Sequence, residues 1–316
     1  MVSSEAVGVR PGAVLAGAAS AGEGLIVVIN ADAGRVRRLG PRALRLLIRR
    51  SGPSDLARII TTDRHDFRQC LLEAARAAPR AIAIIGGDGT AHGAIETLAP
   101  LGVPAIPLPG GTMNRLAARV FGRAKLEQCV SSLEEGQAQY LPGGKVAGRS
   151  FFVAAGFGGW MQVQSLRERL RKPKSIVGLR ALLRMAPRQF ADRVAWAIGD
   201  AAPLSHTTLI VAVGRIDTAF GFGLEQHEPT LLEAAGADIR DWGDLALVTG
   251  AAVLRRWRRL ERVTALSARA LDIESNHEGT PALLDGEFHM LGRINRVTFE
   301  PDLGLVWAPA RRRGPW

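Results

Sequence analysis

The sequence has little cysteine, few aromatic residues and no long apolar run. Two cysteines, Cys70 and Cys129, exclude the disulfide framework of small secreted domains and favour a reducing, cytoplasmic setting. No window approaches the ~18 consecutive apolar residues of a membrane-spanning helix. The chain has a single tyrosine and no recognised nucleic-acid module, so we expect no nucleic acid among its partners.

Positive charge, by contrast, is abundant. Lys and Arg number 41 against 30 Asp and Glu, which gives a formal net charge of +11. This excess predicts attraction to an anionic partner, which could be nucleic acid, a phospholipid surface or nucleotide phosphates. Since 47% of the 316 residues are hydrophobic, wholesale disorder is excluded. The length suggests about two domains.

The first part of the chain alternates short apolar strands with helices. This pattern predicts a parallel α/β sheet over residues 24–142. Residues 1–23 are rich in Ala, Gly and Ser, and we expect a disordered leader there rather than a secretion signal. The predicted strands cover 24–30, 57–61, 81–85 and 103–108, and the predicted helices cover 42–50, 66–78, 91–98 and 113–121.

The pattern changes near Pro142 to shorter β-like runs punctuated by Gly and Pro. It predicts a second domain over 143–308, dominated by antiparallel sheet. Within it we predict a strand over 245–249 and a helix over 251–260. Residues 309–316, which include three consecutive arginines, are expected to form a basic tail.

Residues 84–91, with the sequence IIGGDGTA, carry the sharpest motif. Glycines between a buried strand and a helix let the backbone approach a phosphate, and the helix N-terminus attracts the anion. Asp88 can hold a magnesium ion or take a hydroxyl proton, and Thr90 can cap the helix or bind a phosphate oxygen. The alternative is a tight strand–helix turn that binds no ligand.

Two further polar turns follow neighbouring strands. Residues 107–114 read PLPGGTMN, and residues 30–34 read NADAG. The carboxyl ends of parallel strands meet at one edge of a sheet, where such sheets bind ligands. We therefore expect all three turns to line one crevice.

A late motif, LLDGEF at residues 283–288, contains two carboxylates. In an extended segment, residues i and i+2 point the same way, so Asp285 and Glu287 could share a site and supply a general base. The alternative is a hairpin turn with solvated acids.

Together, GGDGT at 86–90, GTMN at 111–114 and DGE at 285–287 resemble the diacylglycerol kinase catalytic-domain family, which includes bacterial lipid kinases and sphingosine and ceramide kinases. The resemblance extends from about residue 25 to residue 306. It implies an N-terminal parallel α/β nucleotide-binding domain, a C-terminal antiparallel β-sandwich that carries the lipid, and ATP with Mg²⁺ in the cleft between them.

The resemblance also implies roles for individual residues. The proton acceptor maps to Glu287, with Asp285 beside it, and Asp88 is the expected metal ligand and a further catalytic candidate. The expected nucleotide-binding residues are Asn30, Ala31, Asp32, Ala33, Gly34, Thr61 (or its neighbour Thr62), Gly86, Gly87, Asp88, Gly89, Thr90, His92, Gly111, Thr112 and Asn114.

Several positions depart from the family pattern and indicate a divergent branch. His92 and Gly93 replace the usual Asn and Glu after the glycine motif, and Arg115 replaces the Asp of the second turn. A metal-binding Asp–Gly–Leu segment of the second domain becomes Trp–Gly–Asp at 242–244.

Basic, apolar-containing stretches at 166–188 and 254–262 suit an anionic membrane surface; ordinary solvated helix faces are the alternative. The sequence therefore predicts a cytoplasmic lipid kinase, peripheral on the inner face of the membrane. It would phosphorylate a hydroxyl of a diacylglycerol-like or ceramide/sphingoid lipid. The rivals are a NAD kinase and a catalytically weak lipid- or nucleotide-binding protein, and a homodimer stays open.

Overall fold

The computed structural model describes residues 24–122, 124–159, 193–216 and 229–309. The predicted leader at 1–23, the basic stretch at 166–188 and nearly all of the basic tail lie outside the described residues. The chain divides into two compact units, residues 1–142 with 301–316 and residues 143–300. The sequence-based division put 301–308 in the second domain, whereas the described residues 301–309 belong to the first unit.

The first unit is a parallel sheet with helices, in the strand order β2-β1-β3-β4. Val306, near the end of the chain, pairs in parallel with Ala105 of β4 and adds to this sheet. The elements are β1 (Leu25–Asn30), α1 (Gly34–Leu39), α2 (Pro41–Ser51), β2 (Leu56–Thr62), α3 (Phe67–Ala75), β3 (Ala81–Gly86), α4 (Asp88–Leu98), β4 (Ala105–Pro109), α5 (Arg115–Phe121) and α6 (Leu126–Ser131).

Strands β1 and β3 are buried over their whole length, because helices cover both faces of a parallel sheet and every strand position then favours an apolar residue. On one face, alternate strand residues pack with Leu44 and Ile48 of α2 and with Leu126 and Val130 of α6. Helix α2 therefore has one face in the core and one face outside it.

The second unit is an antiparallel β-sandwich. One sheet has the order β12-β11-β10-β7-β14-β15, and the strands β16-β13-β8-β9 form the facing layer. Its elements are β5 (Gly136–Val146, which begins in the first unit), β6 (Arg149–Phe151), β7 (Ala154–Gly158), β8 (Val194–Ala197), β9 (Leu204–His206), β10 (Thr208–Val213), β11 (Leu232–Ala237), α7 (Trp242–Val253), β12 (Val263–Ala268), β13 (Ala270–Ser275), β14 (Thr280–Leu284), β15 (Glu287–Leu291) and β16 (Ile294–Pro309, which ends in the first unit).

The sandwich core joins residues of the two layers. Phe157 and Val211 from the six-stranded sheet belong to the same buried cluster as Trp196, Ile273 and Val297 from the other layer. The predicted fold class, a parallel α/β domain followed by an antiparallel β-sandwich, is confirmed.

The prediction for residues 245–260 was wrong. The expected strand at 245–249 is part of helix α7, and the expected helix at 251–260 is the end of α7 followed by a short 3₁₀ turn, Trp257–Arg259. A short apolar run does not distinguish a strand from a buried helix. Here Asp241 caps the helix, since its Oδ1 accepts from the Asp244 N–H at 2.8 Å, and helix formation starts there.

Among the described residues, no helix combines the length and the apolar character that crossing a membrane requires.

Candidate active site

The three polar turns of the first unit come together at the carboxyl edge of the sheet. The N–H of Gly110 donates to the carbonyl of Gly86 at 3.0 Å, and the N–H of Arg35 donates to the carbonyl of Gly110 at 3.1 Å. The turns after β1, β3 and β4 are therefore joined through backbone hydrogen bonds. The structure places the predicted residues of all three turns beside one another.

Two of these turns pack backbone against backbone. A Cβ added to Gly111 would lie 2.5 Å from the Cα of Gly87, and one added to Gly110 would lie 2.7 Å from the N of Gly86. Real Cβ atoms do not approach other atoms this closely, so both positions require glycine. Gly110 was not among the predicted site residues, although the adjacent glycine pair in PGGTMN was the available signal.

Asn30 links the first turn to helix α4. Its side chain is 6% exposed; Nδ2 donates to Thr90 Oγ1 at 2.9 Å, and Oδ1 accepts from the Asp32 N–H at 3.0 Å. Both predicted residues, Asn30 and Thr90, therefore have internal partners that fix the turn. Gly34 opens α1, and Thr112 Oγ1 would lie 3.8 Å from a Cβ at Gly34, so the third turn reaches the first through Thr112.

Asp88 begins α4 and also holds α5. Its Oδ1 accepts from the Leu116 N–H at 2.9 Å, in the first turn of α5. Asn114 closes the preceding turn: it has a φ of +50°, and its Oδ1 accepts from the Gly111 N–H at 2.7 Å. Asp88 and Asn114 thus shape the turn between β4 and α5.

Asp88 is the carboxylate that the glycine motif offers to a metal ion. In the described part of the chain, no three His, Cys, Asp or Glu side chains are grouped as metal ligands. Mg²⁺ in phosphate sites is commonly held by one or two carboxylates together with substrate phosphates and water. Asp88 fits that arrangement as one ligand.

Thr61, Asp32 and His92 contact neighbouring protein groups. Thr61 Oγ1 accepts from Arg45 Nε of α2 at 3.2 Å, so the side chain of Thr61 faces that helix. Its neighbour Thr62 lies beside Asn30 at the end of β2. Asp32 Oδ2 accepts from the Arg64 N–H at 2.9 Å, which ties the first turn to the loop after β2.

His92 lies one turn into α4. Its Nε2 is 3.4 Å from Glu96 Oε1, a pair at i and i+4 of the helix. The adjacent Gly93 is open, since a Cβ there would meet no atom within 4 Å. His92 therefore has a partner within its own helix. A side chain at position 93, where the family usually has Glu, would begin in open space.

In the second unit, Asp285 lies within a hairpin turn and Glu287 directly follows that turn. Leu284 of β14 pairs with Glu287 of β15, and the two loop residues, Asp285 and Gly286, have φ values of +50° and +99°. Both positive values are typical of the type I′ turn that Asp-Gly favours. The extended segment assumed from the sequence was wrong here, because Asp285 lies in a tight turn and Glu287 begins the strand after it.

The side chain of Asp285 folds back onto the chain that enters β7. Its carboxylate accepts from the N–H groups of Phe152, Val153 and Ala154 at 2.6, 2.8 and 3.0 Å. These are charge-assisted hydrogen bonds and are stronger than neutral ones. Asp285 is therefore built into the sandwich, whereas the side chain of Glu287 is exposed.

The stretch at 254–262 is not a basic amphipathic helix. Trp257 is 5% exposed, and the Arg258 guanidinium lies 4.3 Å from the centre of its ring. Arg258 also bonds to the buried Glu233 at 2.6 and 2.8 Å, and Arg262 pairs with Asp244. The tryptophan and two of the cations therefore stabilise the unit internally.

The cysteines take no part in this chemistry. Both are free, and burial raises the pKa of the Cys129 thiol to about 11. A thiol with that pKa stays protonated at neutral pH and is a poor nucleophile.

Comparison with known proteins gives a family match for the first part of the chain. Residues 24–146 match the diacylglycerol kinase catalytic domain. The resemblance inferred from the motifs is confirmed, and the match supports a kinase of the lipid or nucleotide class.

Solved structures extend the likeness to the fold of nearly the whole chain. A protein of Bacillus anthracis str. Sterne assigned as a candidate diacylglycerol kinase has a TM-score of 0.63 and 17% identity, over 91% of this chain and 97% of that one. A second diacylglycerol kinase structure from that organism has a TM-score of 0.59 and 14% identity, over 92% and 99%. At these identities the likeness shows the two-unit fold.

Proposed function

We propose that the protein is an ATP-dependent lipid kinase that transfers the γ-phosphate to a hydroxyl of a diacylglycerol-like or ceramide/sphingoid lipid. The observation that carries the proposal is the cluster of three turns in a segment of the diacylglycerol kinase family. Its backbones are packed so closely that Gly110 and Gly111 can carry no side chain. This close packing brings the glycine motif to one edge of the sheet together with the other two turns, at the place where parallel α/β sheets bind ligands.

The phosphate-binding groups are the first N–H groups of α4. A helix leaves its first four N–H groups without a partner inside the helix. At α4 the N-cap is Gly87, which has no side chain to satisfy them. The helix dipole adds positive potential at the same point, so an anionic phosphate is the natural ligand of this end of α4.

Asp88 would hold Mg²⁺ together with the nucleotide phosphates. The ion would offset the negative charge that develops on the transferred phosphoryl group. Since Asp88 Oδ1 already accepts from Leu116, the carboxylate is held in a fixed orientation by α5.

We assign proton acceptance from the lipid hydroxyl to Glu287, and a positioning role to Asp285. Glu287 is an exposed carboxylate directly after a two-residue turn. Asp285 fixes that turn through its three backbone hydrogen bonds. This division departs from the sequence-based view, in which both acids took part in catalysis.

Because its acceptor is a lipid, we propose that the protein works at the inner face of the cytoplasmic membrane. Two of the cations at 254–262 are paired internally, so only part of this stretch can bind anionic lipid. The exposed side chains of this stretch are those of Leu254, Arg255, Arg256 and Arg259, together with the acidic Glu261.

The test is phosphate transfer from labelled ATP with Mg²⁺ to diacylglycerol, ceramide, sphingosine and NAD in mixed micelles. We expect a labelled lipid, and about a 10²-fold or greater loss of turnover in Glu287→Gln, because general-base catalysis contributes about that much. ATP binding should persist in this variant. Labelled NAD would instead identify a NAD kinase, and unchanged behaviour of Glu287→Gln with no product would indicate a binding protein.

A further inference from the structure

The exposed side of α1 and α2 is a surface of arginines and leucines. We call it the arginine face. Helix α2 buries Leu44 and Ile48 in the core of the first unit, which leaves its opposite side to solvent. The exposed side chains of the arginine face are Arg37, Arg38, Leu39, Arg42, Leu46, Arg49 and Arg50.

Acidic residues are missing from this part of the chain. Residues 33–54 contain seven arginines and no Asp or Glu. Ordinary solvated helices mix both signs of charge, since pairs at i and i+4 then stabilise the helix. One of the seven, Arg45, donates from Nε to Thr61 Oγ1. Within the ranges that the structure describes, no carboxylate pairs with any of the seven arginines. The positive charge is therefore uncompensated.

An exposed leucine lies among these arginines. Leu46 is 70% exposed and follows Arg42 by four residues and precedes Arg49 by three, so all three share one side of the helix. Solubility gives no reason for a large apolar side chain there. A helix with arginines and leucines on its outer face suits the boundary between lipid headgroups and acyl chains.

We propose that the arginine face is a docking surface for anionic phospholipid. Its charge complements anionic headgroups, and Leu39 and Leu46 reach past them toward the acyl chains. Nucleic acid would satisfy the arginines but leave both leucines in water. This proposal rests on the proposed function in one respect, because a lipid kinase must meet its acceptor at a membrane.

The docking surface is joined directly to the phosphate-binding turns. Gly34 ends the first turn and begins α1, and the N–H of the next residue, Arg35, bonds to Gly110 of the third turn. Contact between α1 and a membrane would therefore fix the turn cluster at the lipid surface. The arginine face thus brings the nucleotide-binding unit to the membrane.

The experiment measures co-sedimentation of the full chain with vesicles of phosphatidylcholine, with or without phosphatidylglycerol, and without any acceptor lipid. The test variant is Arg42→Glu with Arg49→Glu. The matched control is Arg68→Glu with Arg76→Glu, which changes the net charge equally at exposed positions of α3 and its C-terminal cap. Thermal unfolding of each variant checks that the fold is intact.

We expect the wild type and the α3 control to bind only the anionic vesicles, and to release them at high salt. Each arginine removed should cost about fivefold in partitioning, so the double reversal on α2 should lose at least about 25-fold. Leu46→Ala should lose about fivefold as well, because it removes apolar contact with the membrane.

Equal binding by the α2 variant and the α3 control would overturn the proposal. So would absence of wild-type binding to anionic vesicles, or tight binding to duplex DNA that Leu46→Ala leaves unchanged. Since the vesicles contain no acceptor, these results are independent of phosphate transfer. Transfer to lipid in uncharged micelles, measured in parallel, tests the proposed function by itself, and the α2 variant should retain it.

Discussion

The two units use their motif aspartates differently. Asp88 in the first unit begins a helix, and its Oδ1 accepts from the backbone N–H of Leu116. Asp285 in the second unit accepts from three consecutive backbone N–H groups with both of its oxygens. An acidic residue in a conspicuous motif can thus serve the scaffold, as Asp285 does through its three backbone hydrogen bonds.

The largest effect is expected for Asp285→Ala. It would leave three N–H groups of residues 152–154 without their acceptor and place a non-glycine residue at positive φ without a compensating bond. Since one unsatisfied buried polar group costs about 1–3 kcal/mol, we expect a loss of at least about 3 kcal/mol in unfolding free energy, measured by urea denaturation.

The neighbouring acid provides the control. Glu287→Ala changes an exposed side chain, so we expect it to leave the urea midpoint nearly unchanged while turnover falls. Equal destabilisation by the two substitutions would contradict the division of roles between Asp285 and Glu287.

Gly111→Ala tests the corresponding feature of the first unit. The added Cβ would lie 2.5 Å from the Cα of Gly87, and forced packing of this kind costs about 1–3 kcal/mol. The turns must separate to relieve it, so ATP binding should weaken in step with stability. Isothermal titration with ATP and thermal unfolding would measure the two effects.

Gly93→Ala is the matched glycine control, because its Cβ would meet no atom within 4 Å. In the interior of α4, alanine should raise stability by roughly 0.5–1 kcal/mol. If both glycine variants behaved alike, close packing of the turns would not be the reason for Gly111.

The smallest effect concerns a partly exposed ion pair of the first unit. Arg80, through its hydrogen bond to Asp55, holds the pKa of that carboxyl below its ordinary value of 3.8. The stabilisation is therefore present above that value and is lost as the pH falls through the lowered pKa. Because the pair is partly exposed, Asp55→Asn should cost only about 0.5 kcal/mol at pH 7.

A pH series of urea midpoints would measure this effect. The difference between wild type and Asp55→Asn should shrink as the pH falls below 3.8. If the difference stayed constant with pH, the effect would come from the geometry of the hydrogen bond and not from the charge of the Asp55 carboxylate.

Sequence patterns predicted those parts of the fold in which local chemistry and tertiary packing agree. Strand β3 is a continuous apolar run because both of its faces are buried, and the glycine turn after it is visible in the sequence. The strand predicted for residues 245–249 was wrong because their apolar character suits a strand and a helix equally. The Asp241 cap, which decided the outcome, lies before the run.

The site was harder to predict where a side chain bonds across a long stretch of chain. The spacing of Asp285 and Glu287 suggested one shared site, but Asp285 bonds to residues more than 130 positions earlier. The arginine face has a local signal, since the absence of Asp and Glu from residues 33–54 can be read directly from the sequence.

The first unit includes the end of β16, which the ribosome makes after the other strands of the sandwich. Val306 pairs with Ala105 of β4, and Trp307 Nε1 donates to the carbonyl of Leu133 at 3.1 Å. While the ribosome is still making the sandwich, β4 lacks this neighbour and presents an open strand edge, which invites wrong pairing. The nascent chain should therefore depend on chaperones until β16 emerges, and a nonsense mutation that removes residues 301–309 should disrupt the first unit.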